Sequence, residues 1–175
     1  MSVTVSRDRL HRQAGAQLLL PLPSMSTGIA ELPAEACRNL LIVSPWAPSQ
    51  VESALRERGV ALNGCGLIPV SSSPVRYDGP LWTTDPVAPS DLTGLSIRYS
   101  QAMRHVEPDA GWVLIDNAQV LLMYAEARRV CRLLDQLTAQ AKERDVTGVV
   151  AVDREAVQDG TLSKLQATVD RPVER

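Results

Sequence analysis

Residues 111–124, GWVLIDNAQVLLMY, contain the stretch that decides the fold. The large apolar residues Trp112–Ile115 stand in a row and are followed directly by an acid, Asp116. A short run that is apolar at every position is typical of a central strand in a parallel sheet, because such a strand is buried on both faces. The run therefore predicts a strand over residues 111–116 that ends at the Asp116 carboxylate.

Similar apolar runs lie on both sides of this stretch and alternate with amphipathic segments. Helices are predicted over residues 49–58, 91–105, 124–144 and 161–169, the first with Ser49 as its N-cap and Glu52 three residues later. This alternation predicts an α/β fold of three layers with a mainly parallel central sheet. Residues 16–170 form the predicted domain, between an N-terminal extension (1–15) and a C-terminal tail (171–175). The predicted sheet contains Leu18–Leu20, Leu40–Val43, Leu67–Val70, Val113–Ile115 and Val149–Val152.

Composition excludes several classes of function. The 175 residues carry a formal net charge of −2 and only 3% aromatic residues, which argues against nucleic acid as a partner. No apolar run approaches the roughly 18 residues that span a bilayer, so we expect no membrane contact and a cytoplasmic location. The three cysteines form no CxxC pair and only two histidines are present, so we expect no metal site and no cofactor.

The turn after the first predicted strand is laid out like a phosphate-binding loop but lacks its chemistry. In PLPSMSTGIAEL, residues 21–32, Gly28 can match the last glycine of a Walker A motif, but Ile29 then stands where the phosphate-binding lysine belongs. Without that cation we expect no ATP hydrolysis and no enzyme activity. Ser26, Thr27, Gly28 and Asp116 are therefore interpreted as a vestigial nucleotide cleft, either open or filled by Met25 and the 21–28 loop. Alternatively, Asp116 only caps the turn that follows its strand.

Three further segments carry a resemblance to a known family. They are PSDLTGLSI (Pro89–Ile97), LLMY (Leu121–Tyr124) and DREAVQDGTLSKL (Asp153–Leu165). Together with the strand that ends at Asp116, they resemble haloarchaeal HTR-like proteins that contain a degenerate RecA/KaiC-like domain, over about residues 18–170. The resemblance implies a RecA/KaiC-like fold with Asp116 at the Walker B position, and it implies no established activity. In KaiC-like proteins catalytic acids follow the second strand, where this chain has Trp46, Ala47 and Pro48 instead.

The leading hypothesis is a non-catalytic regulatory or scaffolding protein that binds a protein partner or another copy of itself. Trp46, Tyr77, Leu81 and Trp82 are its candidate interface residues, the last three in a long excursion over residues 71–90. The alternative for these side chains is that they cover the protein's own core. The rival hypothesis is a domain that senses a nucleotide or small anion in the degenerate cleft without hydrolysing it. Binding of nucleic acid through Arg128, Arg129 and Arg132 is a weaker third hypothesis, because such a run is usually a solvated helix face.

Overall fold

A seven-stranded sheet, parallel throughout, forms the middle layer of the computed structural model, which describes residues 14–173. This confirms the predicted three-layer α/β fold. The strands run in the spatial order β4-β3-β2-β5-β6-β1-β7. They are β1 (Gln17–Leu22), β2 (Leu40–Ser44), β3 (Cys65–Pro69), β4 (Trp82–Thr83), β5 (Trp112–Ile115), β6 (Thr147–Asp153) and β7 (Arg171–Pro172).

The central strands form because their residues are apolar on both faces. In β2 and β5 every residue is buried, and Val43 is paired with Ile115 in the parallel register. Alternate side chains of these strands enter two separate hydrophobic clusters, one on each face of the sheet. Ile42 and Leu114 belong to one cluster, and Val43 and Ile115 to the other. The continuous apolar runs of the sequence therefore reflect two cores of about equal importance.

Helices cover both faces of the sheet. They are α1 (Pro48–Glu57), α2 (Leu92–Met103), α3 (Gln119–Leu122), α4 (Ala127–Glu143) and α5 (Asp159–Gln166). One face is covered by α1 and by two 3-10 helices, Gly28–Glu31 and Ala34–Arg38. The other face is covered by α2, α4 and α5. The loop and helix segments that follow β1, β2, β5 and β6 all start at one end of the sheet, which we call its carboxyl end.

The starts of all four predicted helices differ from those in the structure, by one to three residues. Helix α1 begins at Pro48, where a missing N–H is harmless, and its N-cap is Ala47 rather than Ser49. The Gln50 side chain accepts the Ala47 N–H at 3.1 Å, so the capping function predicted for Glu52 belongs to Gln50. The long helix predicted over residues 124–144 begins only at Ala127, after the separate short helix α3. Helix α2 begins at Leu92, one residue after its predicted start, and Asp91 caps it by accepting the Gly94 N–H at 2.8 Å. Helix α5 begins at Asp159 and ends at Gln166, each earlier than in the predicted range 161–169.

The 71–90 excursion returns to the sheet. Its β4 pairs in parallel with β3, and Val87 forms a further bridge with Val70. Of the predicted extension (1–15) and tail (171–175), residues 1–13 and 174–175 lie outside the described residues. Arg171 and Pro172 form β7 beside β1.

Candidate functional site

The loop after β1 lies across the carboxyl end of the sheet. Thr27 ends the loop in an extended conformation, and its hydroxyl oxygen accepts the Ile29 N–H at 3.2 Å, which caps the first 3-10 helix. Gly28 follows at a position with little space. A Cβ there would lie 3.0 Å from Leu114 Cδ1 and 3.1 Å from Ala151 Cβ, tighter than ordinary packing allows. The loop therefore packs directly on the ends of β5 and β6.

Asp116 meets this loop from the end of β5. Its N–H donates to Val43 O at 2.8 Å, which continues the sheet by one residue. Its Oδ2 accepts the Thr27 hydroxyl at 2.5 Å, and its Oδ1 accepts the Gly28 N–H at 2.8 Å. Only 2% of Asp116 is exposed. The structure thus brings together the residues of the predicted cleft, but both carboxylate oxygens are bonded to the chain itself.

The adjacent Asn117 is a site residue that sequence reasoning missed. Its backbone is left-handed, with φ of 50°, and its side-chain amide donates to Ser26 O at 3.0 Å. Gln119 then donates to Asn117 Oδ1 at 2.8 Å and accepts the Asp153 N–H at 2.9 Å. Asparagine is one of the few residues that adopts this conformation readily, so an Asn directly after a strand-end Asp was a usable signal for a tight turn.

The other end of the loop is also fixed. The Ser24 hydroxyl lies 3.2 Å from Asp153 Oδ1 and 3.1 Å from Glu155 Oε2. Met25 between these anchors has φ of 62° and is 85% exposed, so its side chain points away from the cleft. Of the two predicted alternatives, the cleft is filled, and it is filled by the backbone and the Thr27 side chain rather than by Met25.

The electrostatics of the site depend on one buried carboxyl, that of Asp116. Burial raises the pKa of the Asp116 carboxyl above its ordinary value, although hydrogen bonds from Thr27, Gly28 and Asn117 act in the opposite direction. Within residues 14–173 no lysine or arginine forms an ion pair with Asp116. A carboxylate that accepts a hydrogen bond on each oxygen stabilises the turn, and because Asp116 is buried in this conformation, its oxygens are not accessible to a magnesium ion from solvent.

Three of the candidate interface residues pack on one face of the sheet. Leu81 is only 5% exposed, and Trp46 and Tyr77 are partly buried against the same hydrophobic cluster. The Tyr77 hydroxyl lies 3.2 Å from Glu52 Oε1 and accepts the Leu81 N–H at 3.3 Å. Tyr77 and Leu81 therefore attach the 71–90 excursion to its own domain, and Leu81 offers no exposed surface.

Trp82 is placed differently from the other three. It is 47% exposed, and its ring centroid lies 5.3 Å from that of His105, just beyond the end of α2. A Cβ at Gly66 would lie 2.6 Å from Trp82 Cε3, so the indole rests directly on the backbone of β3. The structure does not bring the four candidate interface residues into one surface. Further exposed apolar side chains are Met25, Ile97, Met123 and Tyr124.

Comparison with known proteins gives a family without an assigned role. A family model described as a family of unknown function, DUF7504, matches residues 29–175. A search of curated proteins finds no match. No helix formed by residues 14–173 combines the length and the apolar character that crossing a bilayer requires. The same residues contain no group of three or more His, Cys, Asp or Glu side chains arranged to bind a metal ion.

Proposed function

This chain belongs to the DUF7504 family of unknown function, and we propose that it is a non-catalytic regulatory or scaffolding protein. It would act by binding a protein partner or another copy of itself. In this proposal its domain is a degenerate RecA/KaiC-like domain, a pseudo-ATPase that keeps the architecture of an ATPase without its chemistry.

The observation that carries the proposal is the bonding of Asp116. At a Walker B position the carboxylate has to face magnesium and the nucleotide phosphates. Here each of its oxygens accepts a hydrogen bond from the loop, from Thr27 and Gly28, and the carboxylate is buried. In addition, Ile29 stands where the phosphate-binding lysine belongs. The sequence and the geometry of this place therefore both support a non-catalytic role.

The arrangement of the sheet supports the RecA/KaiC-like part of the proposal. The resemblance assigned the loop after β1 and the acid after β5 to one cleft, although 88 residues separate Gly28 from Asp116. The two lie together at the carboxyl end of a parallel sheet, which is where nucleotide sites of α/β folds are built.

Trp82 is the residue on which we place the interaction. Tryptophan is enriched at the energetic centres of protein interfaces. Because Tyr77 and Leu81 already fix this segment to the core, Trp82 is presented on a rigid support, and ordering it on binding costs little entropy.

A second candidate function is the sensing of a nucleotide or small anion in the cleft without hydrolysis. The observation that favours it is a buried carboxyl of raised pKa at the carboxyl end of the sheet, since such groups concentrate at binding sites. This function requires the Thr27–Gly28 loop to leave Asp116 when the ligand binds.

Two measurements test the proposal. First, ATP turnover and calorimetric titration of magnesium nucleotide should give no signal with the wild type. Turnover that is lost in Asp116→Asn would overturn the non-catalytic assignment, and binding without turnover that is lost in this variant would favour the sensing function.

Second, Trp82→Ala should abolish self-association in sedimentation velocity, or recovery of the partner that the wild type recovers from its host, with the fold retained. Tyr124→Ala is the matched control, because Tyr124 is a comparably exposed aromatic (56%) elsewhere on the surface. Tyr77 is unsuitable as a test position because its hydroxyl has a structural role. Equal association by the wild type and Trp82→Ala would remove Trp82 from the proposal.

A further inference from the structure

Helices α2 and α4 lie side by side on the same face of the sheet and run in the same direction. Near their carboxyl ends they are in direct contact, since the Tyr99 hydroxyl donates to Leu137 O at 2.9 Å and Ser100 bonds to Gln140 at 3.1 Å. Near their amino ends they leave an open groove of about 340 Å³. The buried side chains of Leu92 and Leu133 line its apolar part.

The polar lining of this groove consists of hydrogen-bond donors. It is formed by Thr93 and Ser96 from α2 and by Arg129, Arg132 and Gln136 from α4. No aspartate or glutamate is among the residues that line it. Neither arginine has an ion-pair partner among the residues that the structure describes. Two guanidinium groups, two hydroxyls and an amide thus face one space without a counter-charge from the chain.

The backbone adds to the positive potential at this place. Thr93 is the second residue of α2 and Arg129 the third residue of α4, so the first turns of two parallel helices lie beside the groove. The amino end of a helix carries a partial positive charge that acts over about its first turn. Each helix also has an acidic N-cap residue, Asp91 in α2 and Glu126 in α4, which offsets part of this charge. The two arginines are therefore the main source of positive potential in the groove.

We propose that the α2–α4 groove, defined by Thr93, Ser96, Arg129, Arg132 and Gln136, is a binding site for a phosphate monoester. Guanidinium groups bind phosphate oxygens through paired, charge-assisted hydrogen bonds, and hydroxyls and amides complete such sites. The groove suits one phosphoryl group rather than a nucleic acid backbone, because its cations form a single pair in a chain of net charge −2. Ile97 at its side is 54% exposed and provides apolar contact for the organic part of the ligand.

This inference does not depend on the proposed function. It uses neither Asp116 nor Trp82, so ATP turnover or loss of association would leave it unaffected. It also moves anion binding away from the degenerate cleft, where the donors of the loop are already bonded to a carboxylate.

The test is titration of the full chain at low ionic strength, followed by NMR or calorimetry. The probes are inorganic phosphate, a phosphoserine peptide and a nucleoside monophosphate, and the two organic probes distinguish a phosphorylated protein from a small metabolite as the source. The double variant Arg129→Gln, Arg132→Gln should weaken binding by at least about tenfold, because it removes the charged donors.

Arg128→Gln is the matched control. It removes the same charge from an adjacent position on the same helix, but Arg128 does not line the groove. We expect it to change affinity by less than about twofold, the effect of a screened surface charge. Equal weakening by Arg128→Gln and the double variant would show non-specific attraction and overturn the proposal. So would the absence of any wild-type response to about 10 mM inorganic phosphate, since a site for a phosphoryl group has a Kd at or below the millimolar range. Thermal melts of each variant confirm that the fold is intact.

Discussion

The Asp116 site and the α2–α4 groove are opposite cases of charged side chains in one small domain. Asp116 lies where a parallel sheet normally binds a ligand, yet its carboxylate is buried and bonded to Thr27 and Gly28. Arg129 and Arg132 lie on an exposed helix face of the kind that is usually only solvated, yet they line a groove without any ion-pair partner in the described residues.

This comparison shows that the position of a charged group in the fold is a weaker guide to its function than its bonding partners are. What matters is whether the chain itself already satisfies the group. A buried charged group must be satisfied, and where the chain itself satisfies it, the group contributes structure. An exposed charge loses little by remaining unpaired, and it stays available to a ligand. On this criterion we assign Asp116 to the structure of the domain and the arginine pair to the proposed binding site. The predictions below test the two assignments in turn.

The largest effect is expected from Asp116→Ala. This substitution leaves the buried Gly28 N–H and the Thr27 hydroxyl without their acceptor, and each unsatisfied buried donor costs about 1–3 kcal/mol. We expect the free energy of unfolding, measured by urea denaturation, to fall by about 3 kcal/mol.

Asp116→Asn is the control for this prediction. Its side-chain oxygen can still accept the Gly28 N–H, and its amide can donate to the Thr27 oxygen, so we expect a loss of about 1 kcal/mol or less. A stability equal to the wild type in Asp116→Ala would show that the bonds to the loop are dispensable, and the structural assignment of Asp116 would be wrong.

A smaller effect is expected in the pH dependence of the free energy of unfolding, compared between the wild type and Asp116→Asn. Because burial raises the pKa of Asp116 in the folded protein, the folded state binds its proton more tightly than the unfolded state does. The corresponding stability is fully present below the unfolded pKa of about 3.9 and is lost as the pH rises through the folded value. The wild type should therefore be most stable relative to Asp116→Asn in acid, and this advantage should decline toward neutral pH.

Asp170 also titrates in this pH range, and the comparison between the two proteins removes its effect. Burial alone would raise its pKa, but hydrogen bonds from Lys142 and the Gln17 N–H hold it below the ordinary value. Its contribution has the opposite sign, since it is lost as the pH falls. It titrates in the wild type and in Asp116→Asn alike, so it cancels in the difference between their unfolding curves. A difference that grows toward neutral pH would contradict the raised pKa of Asp116.

The sheet could be predicted from the sequence because the composition of each central strand indicates where that strand lies. Strands such as β2 and β5 are apolar at every position, which only burial on both faces explains. The grouping of Thr27, Gly28 and Asp116 was also within reach, because the carboxyl ends of parallel strands meet at one end of the sheet. Whether that cleft is open or filled could not be predicted, because it depends on how the loop after β1 packs against the ends of β5 and β6.

Packing between distant segments decided what the sequence could not. Leu81 and Trp82 are adjacent large apolar residues in a proline-rich segment. The neighbouring sequence does not indicate that Leu81 is buried and that Trp82 is about half exposed. The groove escapes prediction for the same reason. Arg129 and Arg132 face Thr93 and Ser96 only because α2 and α4 are neighbours on the sheet, and 36 residues separate Thr93 from Arg129.

The smallest effect is expected from Arg129→Gln and Arg132→Gln measured without ligand. Neither substitution breaks an ion pair in the described residues, and surface changes of this kind usually alter the free energy of unfolding by no more than about 0.5 kcal/mol.

Inorganic phosphate should raise the melting temperature of the wild type and leave that of the double variant unchanged, because a ligand stabilises only the protein that binds it. Lys142→Gln is a useful contrast. Lys142 lies on the same helix as the two arginines, but it forms an ion pair of 2.6 Å with Asp170, which this substitution breaks. A loss above about 1 kcal/mol in either arginine variant would place that arginine among the structural residues, beside Asp116, and the contrast between the two sites would disappear.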